Sequence, residues 1–244
     1  MKEPRILFWD IETSYDILAK FGLREEYTHP DNIIQDWFII SAAWKWRGNP
    51  KVHSVHIKKP TDDKKIVQEL YDVLKTADCI IGHNGDKFDL KKFKTRAAFY
   101  GLDPLPVIRT RDTLKIAKKH FAFTSNRMDY IAKYLGLEGK QNIEKGLWKK
   151  ALFGDMKAIR TIAEYNKKDV MVLEAVFNKL EPHDEAAINQ ALYHGIDGCP
   201  YCASENYQSR GYAYNKSSKF RRFHCQDCDG RFQDGHVARR ARLR

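Results

Sequence analysis

Residues 5–13 read Arg-Ile-Leu-Phe-Trp-Asp-Ile-Glu-Thr. The run Arg5–Trp9 is short, apolar and rich in residues that suit a pleated sheet, so it predicts a buried strand. That strand is expected to deliver Asp10 and Glu12 at its end. Residues two apart on a strand point to the same side. Two carboxylates side by side repel, and hard divalent cations with oxygen ligands relieve that repulsion. Taken alone, the pair fits a strand ending at a polar surface equally well.

Outward from this stretch, Trp37–Trp46 and Val52–Ile57 read as the next two strands, joined by a turn at Gly48-Asn49-Pro50. Pro60 to Asp63 opens a helix whose apolar positions Ile66, Val67, Leu70, Val73 and Leu74 repeat at helical spacing. Cys79–Gly82 predicts a fourth strand, running through a turn at His83–Asp86 into a helix from about Phe88 to Tyr100. Val107–Ile108 is a candidate fifth strand. Helices are expected near Thr113–His120 and Met128–Leu135, the second capped by Ser125 or Asn126. Lys140–Lys150 reads as a basic loop. Asp155–Leu180 reads as one long helix with Ile159, Ile162, Ala163, Val170, Leu173, Val176 and Phe177 on its apolar stripe. Strands lead and helices follow, which predicts an α/β fold with a mixed sheet.

Two further groups of polar residues stand at element ends and faces. In Asn84-Gly-Asp-Lys-Phe88-Asp89, the last acid sits near a helix start, where the helix dipole favours it; a simple capping role explains it as well. In Tyr165-Asn-Lys-Lys-Asp169, the i, i+4 spacing puts both side chains on one helical face. A solvated acid beside a half-buried tyrosine is the plain alternative. The order of the three blocks adds what none carries alone: Asp-x-Glu, then Asn-x3-Phe-Asp, then Tyr-x3-Asp. This order resembles the tyrosine-bearing (DEDDy) branch of the DEDD, DnaQ-like exonuclease superfamily. The middle block looks most like the proofreading exonuclease domains of family B DNA polymerases and their free-standing relatives. The resemblance spans roughly Lys2–Leu180 in motif order and is carried by three short blocks.

The resemblance implies an RNase H-like mixed sheet flanked by helices and two-metal hydrolysis of phosphodiester bonds. Asp10, Glu12, Asp89 and Asp169 match the family's four metal-holding carboxylates, for two Mg²⁺ or Mn²⁺ ions. Tyr165 matches the residue that orients the attacking water. Ile11 and Thr13 would line the terminal-nucleotide pocket, and Asn84 and Phe88 would contact the nucleotides behind it; Phe88 is equally well placed to be a core residue. Asp112 is left as a helix cap or supporting group, and the lone histidines His83 and His120 as structural.

The chain has 244 residues and five cysteines. Four of them form Cys199-Pro-Tyr-Cys202 and Cys225-Gln-Asp-Cys228. Two such tight turns complete a tetrahedral site for one structural Zn²⁺. The stretch between predicts a β-hairpin, with Phe223 and Phe232 as a small apolar core. This resembles a zinc ribbon. Cys79 stands apart in an apolar run and is expected to be a small buried hydrophobe. The expected organisation is an exonuclease domain over 1–181, a linker over 182–198 whose Glu185–Tyr193 stretch favours a short helix, and a ribbon with a basic tail over 199–244.

The formal net charge is +11, with +6 in the last 46 residues, which favours a polyanionic partner. In the ribbon, Arg210, Lys216, Lys219, Arg221 and Arg222 suit phosphates, as do Arg239, Arg240, Arg242 and Arg244 of the tail. Tyr207, Tyr212, Tyr214 and Phe220 suit stacking on bases. Docking of a replication or repair protein is the alternative for this module. The longest apolar runs are too short to span a bilayer, and residues 1–14 lack a signal-peptide layout, so a cytoplasmic location is expected. The sequence therefore predicts a 3′→5′ exonuclease, with single-stranded DNA favoured over RNA. The alternatives are an RNA 3′-end exonuclease, a structure-specific nuclease, and a zinc-ribbon nucleic-acid-binding protein without activity.

Overall fold

The computed structural model describes residues 4–20, 22, 29–139, 144, 146–184 and 189–234. Residues 5–183 form one compact unit, and residues 184–244 with residues 1–4 form a second.

The first unit is built on β1 (Ile6–Thr13), which occupies the middle of a five-stranded sheet. A short hairpin of β2 (Ile17–Leu18) and β3 (Ile33–Gln35) follows. The other sheet strands are β4 (Ile39–Trp46), β5 (Val52–His56), β6 (Cys79–Gly82) and β7 (Arg109–Asp112). Their spatial order is β5-β4-β1-β6-β7. β1 runs antiparallel to β4 and parallel to β6, and β7 is parallel to β6. A strand covered on both faces must be apolar nearly throughout. Leu7, Phe8 and Trp9 accordingly bury their side chains almost completely, each contributing roughly 1.5–3 kcal/mol.

β1 is longer than the apolar run that announces it. It continues through Asp10, Ile11 and Glu12, which pair with Ala43, Ala42 and Ser41 of β4, and it shifts register between Glu12 and Thr13. The carboxylates thus lie within a hydrogen-bonded ladder rather than beyond it. The fifth strand is Arg109–Asp112 instead of Val107–Ile108, and Val107 is fully exposed. An edge strand needs backbone pairing on one side only, so β7 tolerates the charged run Arg-Thr-Arg-Asp.

Helices α1 (Lys64–Leu74) and α2 (Asp89–Phe99) pack together, and α1 also packs on β4. α3 (Thr113–His120) and α4 (Met128–Tyr134) follow. Neither expected residue caps α4: Arg127 occupies the N-cap, and the Ser125 hydroxyl accepts from its N–H at 3.4 Å. Part of the expected basic loop is helix α5 (Leu147–Leu152), because Leu147, Ala151 and Leu152 bury one face. Residues 140–143 and 145 of that loop lie outside the described residues. α6 (Met156–Leu180) is capped by Asp155, whose carboxylate accepts from Lys157 and Ala158 N–H, and it packs along β1, β4 and β5. Cys79 is buried, and burial pushes its thiol up to about 12.

Asp63 stands at the start of α1 but makes no capping bond. Its carboxylate, 0% exposed, is committed elsewhere. It accepts from Ile39 N–H at 2.9 Å, from Arg96 Nε at 2.8 Å and Nη2 at 2.5 Å, and from the Tyr100 hydroxyl at 2.6 Å. One acid therefore ties the beginning of β4 to α1 and α2.

In the second unit, the linker helix is α7 (Gln190–His194), capped by Asn189 and ended by Gly195 in the left-handed conformation. It covers Gln190–Tyr193 of the expected Glu185–Tyr193 and runs one residue further, and residues 185–188 lie outside the described residues. A three-stranded antiparallel sheet follows: β8 (Tyr207–Tyr214), β9 (Lys219–Cys225) and β10 (Arg231–Gln233), in the order β10-β9-β8.

Removing one partner of a buried pair leaves an uncompensated charge. Arg96→Met should lower unfolding stability in urea by roughly 3–5 kcal/mol, while Lys65→Ala on the α1 surface should change it by under about 0.5 kcal/mol. Burial, reinforced by the Asp63 hydrogen bond, pushes the Tyr100 hydroxyl up from 10.0 to about 12. A raised value stabilises the fold fully below the unfolded value and less above it. The stability gap between the wild-type chain and Tyr100→Phe should therefore hold below pH 10 and close between pH 10 and about 12 in denaturant titrations.

Candidate active site and four-cysteine cluster

On β1, strand alternation separates two sets of side chains. Leu7, Trp9 and Ile11 face one way, where Trp9 meets Phe93 of α2 edge-on at 6.3 Å. Phe8, Asp10 and Glu12 face the other, where Phe8 meets Phe177 of α6 edge-on at 5.7 Å. α6 brings Tyr165 and Asn166 each beside Asp169, through i, i+4 and i, i+3 spacing. As a result, one carboxylate oxygen each from Asp10, Glu12 and Asp169 lies within 4.8 Å of the other two. Asp10 and Glu12 are half-buried and Asp169 is 1% exposed.

Two side chains that the motifs leave unspecified hold this cluster. Asn166, 0% exposed, donates from Nδ2 to Asp10 Oδ2 at 2.6 Å and accepts from the Ser41 hydroxyl at 3.3 Å. Trp148 of α5 donates from its indole N–H to Glu12 Oε2 at 3.2 Å, and its ring meets Tyr165 edge-on at 6.1 Å. Asn166 was detectable in the sequence. With Asp169 it interrupts the apolar stripe of α6 at positions that helical spacing sends inward, and a buried polar group needs a partner. Trp148 lies in the stretch expected to be loop, and no pattern there marked it.

Asp89 is the first residue of α2 and is buried. Its Oδ1 accepts from Ile11 N–H at 3.2 Å, so it reaches the middle of β1 from the next strand along. Ile11 itself is buried in the core, and its backbone N–H meets this acid. The turn leading to Asp89 is tight. A Cβ on Gly82 would stand 3.1 Å from Gly85 Cα, and one on Gly85 would stand 3.2 Å from Gly82 Cα. Asn84 takes a left-handed conformation, φ +63°, which asparagine tolerates better than most residues. Its N–H donates to Asp112 Oδ1 at 2.8 Å, and the same oxygen caps α3 by accepting from Leu114 N–H at 3.0 Å. Asp112 thus acts as helix cap and as support for the Asn84 turn at once. His83 is structural, bonded to the Thr113 hydroxyl and the Asn126 carbonyl. Phe88 is 41% exposed rather than part of the core, and Thr13 is half-buried at the β1 register shift.

The family model described as RNase_H superfamily matches residues 26–181. The chain belongs to the RNase H superfamily. The matched span includes Asn84, Asp89, Tyr165 and Asp169 and begins after β1. Among solved structures, a family B DNA polymerase from the hyperthermophilic archaeon Pyrobaculum calidifontis aligns with a TM-score of 0.57 and 18% identity, over 74% of this chain and 25% of the polymerase chain. This RNase H-superfamily chain therefore spans about a quarter of that polymerase's length, and the likeness is one of fold. No curated protein matches the chain. Superfamily membership supports a nuclease-type hydrolase. The all-oxygen cluster suits hard divalent cations, which carboxylates hold.

The second unit holds Cys199, Cys202, Cys225 and Cys228 with all four sulfurs within 4.8 Å of one another. Cys199 and Cys228 sulfurs are 3.6 Å apart, as are those of Cys202 and Cys225. Metal–sulfur bonds of about 2.3 Å in a tetrahedron require sulfur separations of this size, and the cluster fits a zinc ribbon. Each cysteine turn is followed by a left-handed residue, Ala203 and Asp229, both at φ +61°. The adjoining Gly230 has no room for a side chain, since a Cβ there would stand 2.5 Å from the Tyr201 ring. Phe223 and Phe232 pack at 5.3 Å, and Tyr207 joins them at 5.2 and 5.4 Å. Tyr207, expected as a stacking residue, is thus part of the ribbon core. The tail arginines Arg239, Arg240, Arg242 and Arg244 lie outside the described residues.

Asn166→Ala removes the amide bond to the Asp10 carboxylate, and Mg²⁺ affinity should fall on the order of 10–100-fold with the fold retained by circular dichroism. Mg²⁺ titration of the wild-type chain should change tryptophan emission through the Trp148–Glu12 bond. Trp148→Phe should remove most of that change.

Proposed function

We propose that this chain is a metal-dependent 3′→5′ exonuclease that removes nucleotides from single-stranded or frayed 3′ ends, with DNA favoured over RNA. The observation that carries this reading is the convergence of Asp10, Glu12 and Asp169 oxygens within 4.8 Å, with Tyr165 one helical turn from Asp169. The motif order shared with the tyrosine-bearing exonucleases supplies the direction of attack, and membership of the RNase H superfamily supports the nuclease class.

Asp10, Glu12, Asp89 and Asp169 would hold two Mg²⁺ or Mn²⁺ ions. When bound, such a pair lowers the pKa of the attacking water and offsets charge on the leaving 3′ oxygen. The Tyr165 hydroxyl orients that water by hydrogen bond, its ring steadied edge-on by Trp148. Asn166 and Trp148 keep Asp10 and Glu12 from turning away. Thr13 borders the terminal nucleotide, where Ile11, its side chain in the core, offers only its backbone, and Asn84 meets the nucleotides behind it. Phe88 offers a half-open ring on which any base stacks. In the second unit, the four cysteines would hold one Zn²⁺ as a structural ion, since a closed site of four thiolates leaves no position for substrate. On this reading residues 1–181 are the nuclease, 182–198 the connection and 199–244 the ribbon.

The test is digestion of 5′-labelled single-stranded DNA and RNA oligonucleotides with Mg²⁺ or Mn²⁺, resolved on a denaturing gel. A ladder shortening from the 3′ end, faster for DNA, is expected. Asp10→Ala should reduce the rate by at least about 10³-fold with oligonucleotide binding retained, because it removes a metal ligand and leaves the basic surface intact. Internal cuts, or full activity in Asp10→Ala, would overturn the assignment.

A further inference from the structure

The nuclease reading leaves the hairpin of the second unit without a task. From Tyr207 to Cys225 the chain carries five Lys or Arg and no Asp or Glu. β-Sheet geometry sorts these residues. Tyr207 and Phe223 turn into the small core. Beyond them, at the far end of the hairpin, Tyr212 stands opposite Arg221 and Tyr214 opposite Lys219. Cross-strand partners share a face, and Tyr212 and Tyr214, two apart on β8, share it too.

These two rings stand outside the ribbon core. Tyr212 is 44% and Tyr214 70% exposed. Their centroids are 6.5 Å apart, and Lys219 Nζ lies 3.8 Å from the first and 5.6 Å from the second. Arg221 bonds to the Tyr212 hydroxyl and lowers its pKa, so the positive charge is gathered around the rings. A register shift between Ser209 and Tyr212, with Gly211 at φ +81°, re-aims this part of β8. Beside the core, Arg210, Arg222 and Arg231 line a recess of about 330 Å³ together with His224.

We propose that the Tyr212–Tyr214–Lys219–Arg221 face is a binding platform for single-stranded nucleic acid, separate from the carboxylate site. Exposed aromatic rings on a sheet take unpaired bases by stacking, and neighbouring cations take the phosphates that run between those bases. An acidic peptide would satisfy the cations but leave both ring faces unused, so nucleic acid is the better match. The platform stands whether or not the carboxylate cluster is an exonuclease.

The test is fluorescence anisotropy with a labelled oligothymidine, on the full chain carrying Asp10→Ala so that the probe is not consumed. Metal content is measured for each variant to confirm an intact four-cysteine cluster. The double variant Tyr212→Ala/Tyr214→Ala should weaken binding at least about tenfold, since each stacked base contributes that order of affinity. Tyr212→Phe/Tyr214→Phe should stay within about twofold, because the rings remain. Lys219→Gln/Arg221→Gln should flatten the slope of log K against log salt by about 1.4, or roughly 0.7 per lost phosphate contact. Unchanged affinity in the double alanine variant would overturn the proposal. Equal loss in the phenylalanine variant would overturn the stacking role. Polyglutamate competing as well as unlabelled oligothymidine of equal charge would reassign the face to an acidic protein. A chain that binds through this face but cleaves nothing under any metal would retire the exonuclease reading alone.

Discussion

Like charges held close together set the terms for the first unit. Asp10, Glu12 and Asp169 bring oxygens within 4.8 Å of one another, and two unit charges about 4 Å apart cost roughly 4 kcal/mol at the effective dielectric of a protein surface. A flexible loop would let such acids swing apart. Here two hold backbone positions inside a paired strand, and the third sits mid-helix on α6. Part of the frame that resists the repulsion is the buried run Leu7–Trp9, whose side chains each contribute roughly 1.5–3 kcal/mol. Hydrogen bonds from Asn166 and Trp148 then remove the remaining rotational freedom of Asp10 and Glu12.

How much of this was legible in the sequence depended on whether a residue's role is local. Cys79–Gly82, Thr113–His120 and α6 were readable because apolar periodicity and flanking polar residues mark them from within. The acids and Tyr165 were readable as spaced motifs. What the sequence hid was set by distant neighbours. β1 extends past its apolar run because β4 pairs with Asp10 to Glu12. Arg109–Asp112 is a strand because it is an edge, a status that no local composition encodes. Asp63 looks like an ordinary helix cap, yet its real partners are Arg96, Tyr100 and Ile39. Trp148 became part of the site through a helix whose short apolar face was masked by surrounding lysines.

The two units sort metals by donor chemistry. The first gathers only oxygen and the second only sulfur, and the thiolate set favours softer borderline ions while carboxylates favour hard ones. One chain thus presents two chemically distinct donor sets, since thiolates take up hard ions such as Mg²⁺ poorly. The cysteine cluster also explains how so small a unit keeps a fold. Among the described residues, the apolar interior of its sheet is Tyr207, Phe223 and Phe232, less than an independent module usually needs.

The hydrogen bonds that complete the carboxylate cluster join residues 156 and 136 positions apart. No shorter piece of the chain holds the cluster, because its members enclose nearly the whole first unit between them. During synthesis, Asp10 and Glu12 leave the ribosome before Asp169, which follows only after every strand of the main sheet and helices α1 to α5 have been made. Until α6 has wound and docked on β1, the early acids have no third partner. The three-carboxylate cluster is therefore complete only late in synthesis, and a chain interrupted anywhere before Asp169 never has it.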